Sequence, residues 1–158
     1  MRFYLASRYG RRAELCEYAA DLMAHGHEVT SRWLFAEHEG TITDDTDSKY
    51  AQQNARFAVE DLIDVYKCDV MIQFGESPTD PPPGAGRGGR FVELGWAIAH
   101  EKTIIIVGVP ENLFHYWPTI QCVPDWATAK DEIDTMTIFR TLRMYPSALQ
   151  NAENRLSE

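Results

Sequence analysis

Short β-type runs alternate along this chain with longer stretches of helical periodicity, and that alternation predicts its architecture. Residues 2–6 (RFYLA) read as a strand. Arg12 to His25 carries apolar side chains at Leu15, Ala19, Leu22 and Met23, the stripe of an amphipathic helix, which Gly26 closes. Residues 28–33 (EVTSRW) are rich in β-branched and aromatic side chains and predict a second strand, followed by a long acidic loop to about Asp47. Asp47 or Ser48 caps a helix that runs to about Lys67 with Ala51, Ala55, Ala58, Val59, Leu62, Ile63 and Tyr66 along its inner side. A third strand follows at 69–74 (DVMIQF), then a helix that contains Glu93. The unbroken apolar run at 103–107 (TIIIV) is the mark of a strand buried on both faces of a parallel sheet. A turn or short helix at 111–117, a short strand at 120–123 and a closing helix from Trp126 to Met144 complete the order.

This order specifies one doubly wound α/β domain, residues 1–145, with a mainly parallel five-stranded sheet of flavodoxin or Rossmann type and a polar tail at 146–158. Residues 75–90 hold four prolines and five glycines, which excludes regular structure. Neither flank is long enough for a separate domain, so this stretch reads as an active-site loop. In such folds ligands sit beyond the carboxyl ends of the strands. That rule collects residues 6–10, Trp33, the 75–90 loop, Glu93 and residues 108–115 at one rim.

Composition narrows the partners. A net charge of −9 over 158 residues argues against coating nucleic acid or an anionic membrane, both of which need excess Lys and Arg. A small molecule is the expected partner. Cys16, Cys68 and Cys122 are odd in number and lack metal-ligand or disulfide spacing, which fits buried free thiols in a reducing compartment. With no targeting segment or membrane span in view, the expected location is cytoplasmic. The histidines are scattered, and Asp44, Asp45 and Asp47 lack the rest of a calcium loop, so neither metal nor cofactor is expected.

The candidate chemistry starts at Glu93. It lies where a helix begins after a glycine-rich turn, and the positive end of the helix dipole is expected to hold it ionised, as a nucleophile or anion partner requires. The plain alternative is a first-turn acid that stabilises its own helix. A second acid must come from Glu60, Asp61 or Asp64. A strand of five or six residues advances about 17 Å, and the helix that feeds it climbs about 1.5 Å per residue. Asp61, eight residues before Asp69, therefore lies nearer the rim than Asp64, while Glu60 points toward solvent. Beside an apolar helix face, Asp61 gains a raised pKa suited to proton donation. Two carboxylates over one pocket suit glycosidic cleavage, one attacking the anomeric carbon and the other handling the proton.

These segments resemble the nucleoside 2-deoxyribosyltransferase superfamily, which includes the 2′-deoxynucleoside 5′-phosphate N-hydrolases. The likeness covers residues 2 to about 118 and rests on RFYLAS, on DLIDVYKCDVMI with an Asp eight residues before the strand-starting Asp, and on VELGWAIAHEKTIIIV after a glycine-rich turn. It implies that Glu93 forms a deoxyribosyl-enzyme intermediate, that Asp61 is the general acid and base, and that Tyr4 positions the nucleophile. It also implies that ENLFHY is lent to a neighbouring subunit's pocket, with Asn112 at the sugar 5′ end and a homo-oligomer as consequence. The chain departs from the pattern at Phe91, where typical members carry glycine.

The cluster Ser7, Arg8, Gly10, Arg11 and Arg12 is a local excess of positive charge where a helix begins, a plausible phosphate cradle that resembles the N-hydrolase 5′-phosphate site. Gly88 and Gly89 line the same rim, with Arg87 and Arg90 adding charge. Trp33 offers a face for stacking on a base, with His115 and Tyr116 as further candidates. The expected substrate is a deoxynucleoside or its 5′-monophosphate, cleaved by hydrolysis or transferred to an acceptor base. A non-catalytic nucleotide-binding or sensing domain on the same rim remains the alternative.

Overall fold

The structure is a computed structural model that describes residues 1–35, 48–76 and 88–144. Its elements run in the expected order: β1 (Arg2–Ala6), α1 (Arg12–Ala24), β2 (Glu28–Val29), α2 (Ser48–Lys67), β3 (Val70–Phe74), α3 (Gly89–Ala99), β4 (Thr103–Val107), β5 (Ile120–Val123) and α4 (Trp126–Met144). Single helical turns at Tyr9–Arg11, Arg32–Leu34 and Leu113–Tyr116 join them. The five strands form one sheet in the order β2-β1-β3-β4-β5, and the pairs β1–β2, β1–β3 and β3–β4 are parallel. This is a doubly wound α/β sheet whose order reverses between β1 and β3, the switch point at which such folds leave a crevice.

Register decides which side chains share a face. Tyr4 pairs with Met71, Ala6 with Gln73, and these in turn with Ile104 and Ile106. Side chains alternate along each strand, so Tyr4, Met71, Gln73, Ile104 and Ile106 lie on one face. Phe3, Leu5, Ile72 and Phe74 lie on the other, where the Phe74 ring stacks on Tyr18 of α1 at 5.3 Å. Every residue of β3 is buried, as a central strand covered on both faces must be. α2 and α3 pack together, and Lys102 Nζ closes the end of α2 by donating to the carbonyls of Tyr66 and Cys68. That places a cation where the dipole and the orphan carbonyls of a helix C-terminus favour one.

The predicted second strand is shorter than its composition suggested. β2 is Glu28–Val29 only. Beyond it, Ser31 Oγ accepts the Leu5 N–H at 2.6 Å and donates to the Leu5 carbonyl, so a side chain takes over the ladder and the backbone turns. Asp64 then accepts both the N–H and the guanidinium of Arg32, which holds Arg32–Leu34 as a helical turn.

The chain divides into two compact units, Met1–Cys122 and Val123–Glu158. The expected boundary at 145/146 and the polar tail fall outside the described residues, as does the acidic loop. α4 is capped by Asp125, whose Oδ1 accepts the N–H and hydroxyl of Thr128 at 2.8 Å. No helix among the described residues is long and apolar enough to cross a membrane. The three cysteines are free thiols, but only Cys68 is buried and Cys122 is exposed.

Candidate active site

Three of the residues singled out in the sequence converge on one face of the sheet. Tyr4 is fully buried in β1, and the acids that act on its hydroxyl are Glu93 of α3, then Asp61 and Asp64 of α2. Its Oη makes no hydrogen bond of proper geometry. The hydroxyl nonetheless lies near enough to Glu93 for each to bias the other's titration.

Glu93 does not behave as a helix-start acid. α3 begins at Gly89, so Glu93 stands in its second turn, past the free N–H groups on which the dipole argument relied. Glu93 keeps some contact with solvent, but crowding by protein atoms and then the neighbouring charge of Asp61 push its pKa up to about 8, against smaller lowering effects from the Tyr4 hydroxyl and Arg90. The expectation that it is held ionised is therefore reversed in the ligand-free protein. Asp61 is pushed up to about 6, first by burial and then by Asp64 and Glu60, with Arg32 opposing. Its Oδ1 is buried without a hydrogen-bond partner. The two acids repel each other's charge, so they titrate as a coupled pair.

The neighbouring acids are excluded from this role by their partners. Asp64, almost fully buried, receives Arg32 Nε at 2.9 Å. Glu60, expected in solvent, is instead ion-paired with Arg56 at 2.7 Å. Asp69 receives the backbone N–H and the guanidinium of Arg2 at the opposite end of the sheet.

The expected phosphate cradle shrinks. Arg11 is committed to a fork on Glu14 and to the Gly75 carbonyl. Arg12 donates to the Leu34 carbonyl at 2.9 Å. Both arginines join β1, β3 and the 32–34 turn, and neither is a ready anion donor. The rest of the cluster is Ser7, whose Oγ is buried and unpartnered, Arg8, and Gly10, where a side chain would meet only open space. These follow β1, beside the switch point.

Arg90 is likewise a structural cation. It is buried, and Nη2 donates to Glu111 at 2.6 Å and to Glu76 at 3.3 Å. Glu111 also accepts the Glu76 N–H. Arg90 thus ties the segment after β3 to the segment after β4 and to the first turn of α3. Its guanidinium lies 4.5 Å from the Phe91 ring centre, and that ring in turn lies 6.0 Å from His115. The Phe91 ring is thus packed against this latch. Arg87 lies outside the described residues. Gly88 adopts φ +77°, the left-handed conformation that lets the chain enter α3. A Cβ on Gly88 or Gly89 would touch nothing.

One further candidate is corrected. Trp33 is 8% exposed and donates Nε1–H to the Leu5 carbonyl, so it is a core ring and not a stacking platform. Tyr9, 53% exposed and with its ring centre 6.4 Å from that of Trp33, occupies the rim instead. The sequence reading passed over it because its place in a helical turn after β1 emerges only from the fold. Asn112 uses its Oδ1 to cap the Leu113–Tyr116 turn by accepting the Phe114 N–H at 2.8 Å. Tyr116 is 74% exposed, while His115 is 1% exposed and turns inward.

Among the described residues, no group of three or more His, Cys, Asp or Glu side chains could hold a metal ion. No protein-family model matches the sequence, and no curated protein matches it. Among solved structures, the chain is similar to a Clostridium botulinum CMP N-glycosidase, BcmB. The two are 22% identical over 78% of this chain and 88% of that one, with a TM-score of 0.45.

Proposed function

We propose that the protein cleaves the N-glycosidic bond of a nucleoside or nucleoside 5′-monophosphate, 2′-deoxy substrates included, through a covalent glycosyl-Glu93 intermediate. The observation that carries this reading is the coupled pair itself, two carboxyls with raised pKa values above the buried Tyr4 hydroxyl beside the switch point of the sheet. Near neutrality such a pair shares about one proton, so one member is ionised while the other is an acid. Substrate favours the form with the charge on Glu93, because positive charge develops at the anomeric carbon and the Tyr4 hydroxyl is poised to donate. Glu93 attacks C1′, the C1′–N bond breaks, and the departing base takes the proton from Asp61. Asp61 then removes a proton from water, the water oxygen bonds to C1′, and Glu93 leaves as a carboxylate. An acceptor base in place of water gives transfer.

Ser7 and Arg8 are the proposed contacts for a 5′-phosphate, and Tyr9 the proposed contact for the base. Incubation with deoxynucleoside and ribonucleoside 5′-monophosphates, with and without an acceptor base, is expected to release free base. Glu93→Gln should abolish release. Equal behaviour of wild type and variant would end the proposal, and tight binding without turnover in both would favour a binding domain.

We also propose a homo-oligomer. Leu113, Phe114, Tyr116 and Trp117 are 74%, 56%, 74% and 47% exposed within one short segment, with Val109 and Val92 also exposed. An apolar run of that kind on a small acidic protein fits burial against a second copy.

A further inference from the structure

Gln73 stands at the carboxyl end of the central strand β3, wholly buried, on the sheet face that also carries Tyr4. Its Nε2 lies 3.0 Å from Nε2 of His115, and its Oε1 has no partner. Two donors cannot satisfy one another, so the ring proton decides what each atom is. His115 Nδ1 accepts the N–H of Glu111 at 3.1 Å and therefore carries no hydrogen. The ring is buried, which favours the neutral form. Its single proton is then on Nε2, and that nitrogen is a donor. The amide must present its oxygen to it, by a half-turn about its last side-chain bond that leaves the outline of the side chain unchanged. The NH2 group consequently occupies the place with no partner.

We infer that Gln73 is a substrate-binding residue, its carboxamide locked by the Glu111–His115 chain so that its NH2 donates to an oxygen of the sugar held against Glu93. A buried NH2 without an acceptor is unfavourable, and a ligand oxygen removes that cost on binding. Gln73 is well placed to supply it. The register sets it beside Ala6, one residue before the unpartnered Ser7 hydroxyl, so two orphaned polar groups flank the β1/β3 switch point. The identification of the oxygen as a sugar's rests on the N-glycosidase reading, since the pentose is the part of such a substrate that must reach Glu93.

The test uses ribose 5-phosphate, which has no bond to cleave. Nitrogen-15 NMR of the intact protein is expected to show His115 as the Nε2–H tautomer. The Gln73 side-chain NH2 signal, assigned by its loss in Gln73→Glu, is expected to shift on saturation with ribose 5-phosphate. An Nδ1–H tautomer, or an NH2 signal that does not move, overturns the inference without any variant having to fold. Gln73→Glu keeps an oxygen toward His115 but replaces the donor, and its affinity for ribose 5-phosphate should fall on the order of tenfold. Unchanged affinity also overturns it. Release of base that is equal in wild type and Gln73→Glu removes the role of Gln73 and leaves the glycosidase reading intact. Gln73-dependent binding in a protein that releases no base does the reverse.

Discussion

At the scale of the residue, the molecule is organised by which polar groups have partners and which do not. Arg11, Arg12, Arg32 and Arg90 are engaged in forks and carbonyl contacts, whereas Tyr4 Oη, Ser7 Oγ, Asp61 Oδ1 and one amide atom of Gln73 are buried without hydrogen bonds. Buried polar groups without partners are rare in native proteins, and here they gather around the carboxyl ends of β1 and β3 and the acids above them. Two predictions follow from the acid pair. With Asp61 raised to about 6 and Glu93 to about 8, base release should have a bell-shaped pH profile, falling below about 6 as both become protonated and above about 8 as the shared proton is lost. A flat profile from pH 5 to 9 would contradict it. Stability should respond in the opposite sense to an ordinary acid. Glu93 has a folded pKa above its unfolded one, so its favourable contribution is complete below about 4.5 and is lost as pH rises through about 8. Glu93→Gln is then expected to match the wild type near pH 4 and to be more stable at pH 9 by on the order of 1–2 kcal/mol, discounted because Glu93 keeps some solvent contact. Urea denaturation at the two pH values measures the difference.

At the scale of the element, hydrophobic period gave the order and type of the elements but not the buried side of every helix: Val59, Ile63 and Tyr66, expected on the inner side of α2, are exposed together with Ala51, Ala55 and Ala58, while Asp64 and Val65 are buried, and Met23 of the α1 stripe is exposed. The TIIIV run became the buried β4, and the stripe at Leu15, Ala19 and Leu22 became the buried side of α1. EVTSRW failed as a six-residue strand because its own Ser31 hydroxyl takes the Leu5 backbone groups that a longer β2 would pair with, and because Asp64, distant in sequence, accepts the Arg32 N–H. The helix ends and strand ends carry their own tests. Glu101 follows α3 with φ +52°, a conformation unfavourable for a side chain, and Glu101→Gly should raise stability by about 0.5–1 kcal/mol. Gly75 has the opposite constraint. A Cβ there would lie 3.1 Å from the Val109 carbonyl and 3.2 Å from Glu111 Oε1, backbone and a committed carboxylate that cannot both retreat. Gly75→Ala should loosen the Glu76–Glu111–Arg90 latch, lowering stability by about 1–3 kcal/mol and weakening nucleotide binding. Chemical denaturation and calorimetry with a nucleoside 5′-monophosphate check both.

At the scale of the whole molecule, the exposed run around Leu113–Trp117 predicts association. Sedimentation across a hundredfold range of concentration should show a dimer or larger species, and Phe114→Asp should dissociate it while leaving the fold intact; a wild type that is monomeric throughout would refute the proposal. The amino-acid sequence alone determined the alternation of strands and helices and the doubly wound class, because period is a property of neighbours along the chain; the candidacy of Glu93 and Asp61 drew on local chemistry together with a family resemblance, and that of Tyr4 on the resemblance alone. It assigned Trp33, Arg11 and Arg12 to the site, and there the tertiary structure decided otherwise. Their partners, the Leu5 carbonyl, Gly75 and Leu34, are brought to them by folding. The protonation of Glu93 also belonged to the fold. Burial and the approach of Asp61 from a different helix push its pKa up, and its place in the second turn of α3 sets it beyond the helix start. Gln73 carried no signal in the sequence, since an amide in an apolar strand acquires direction only from the histidine that folding sets beside it.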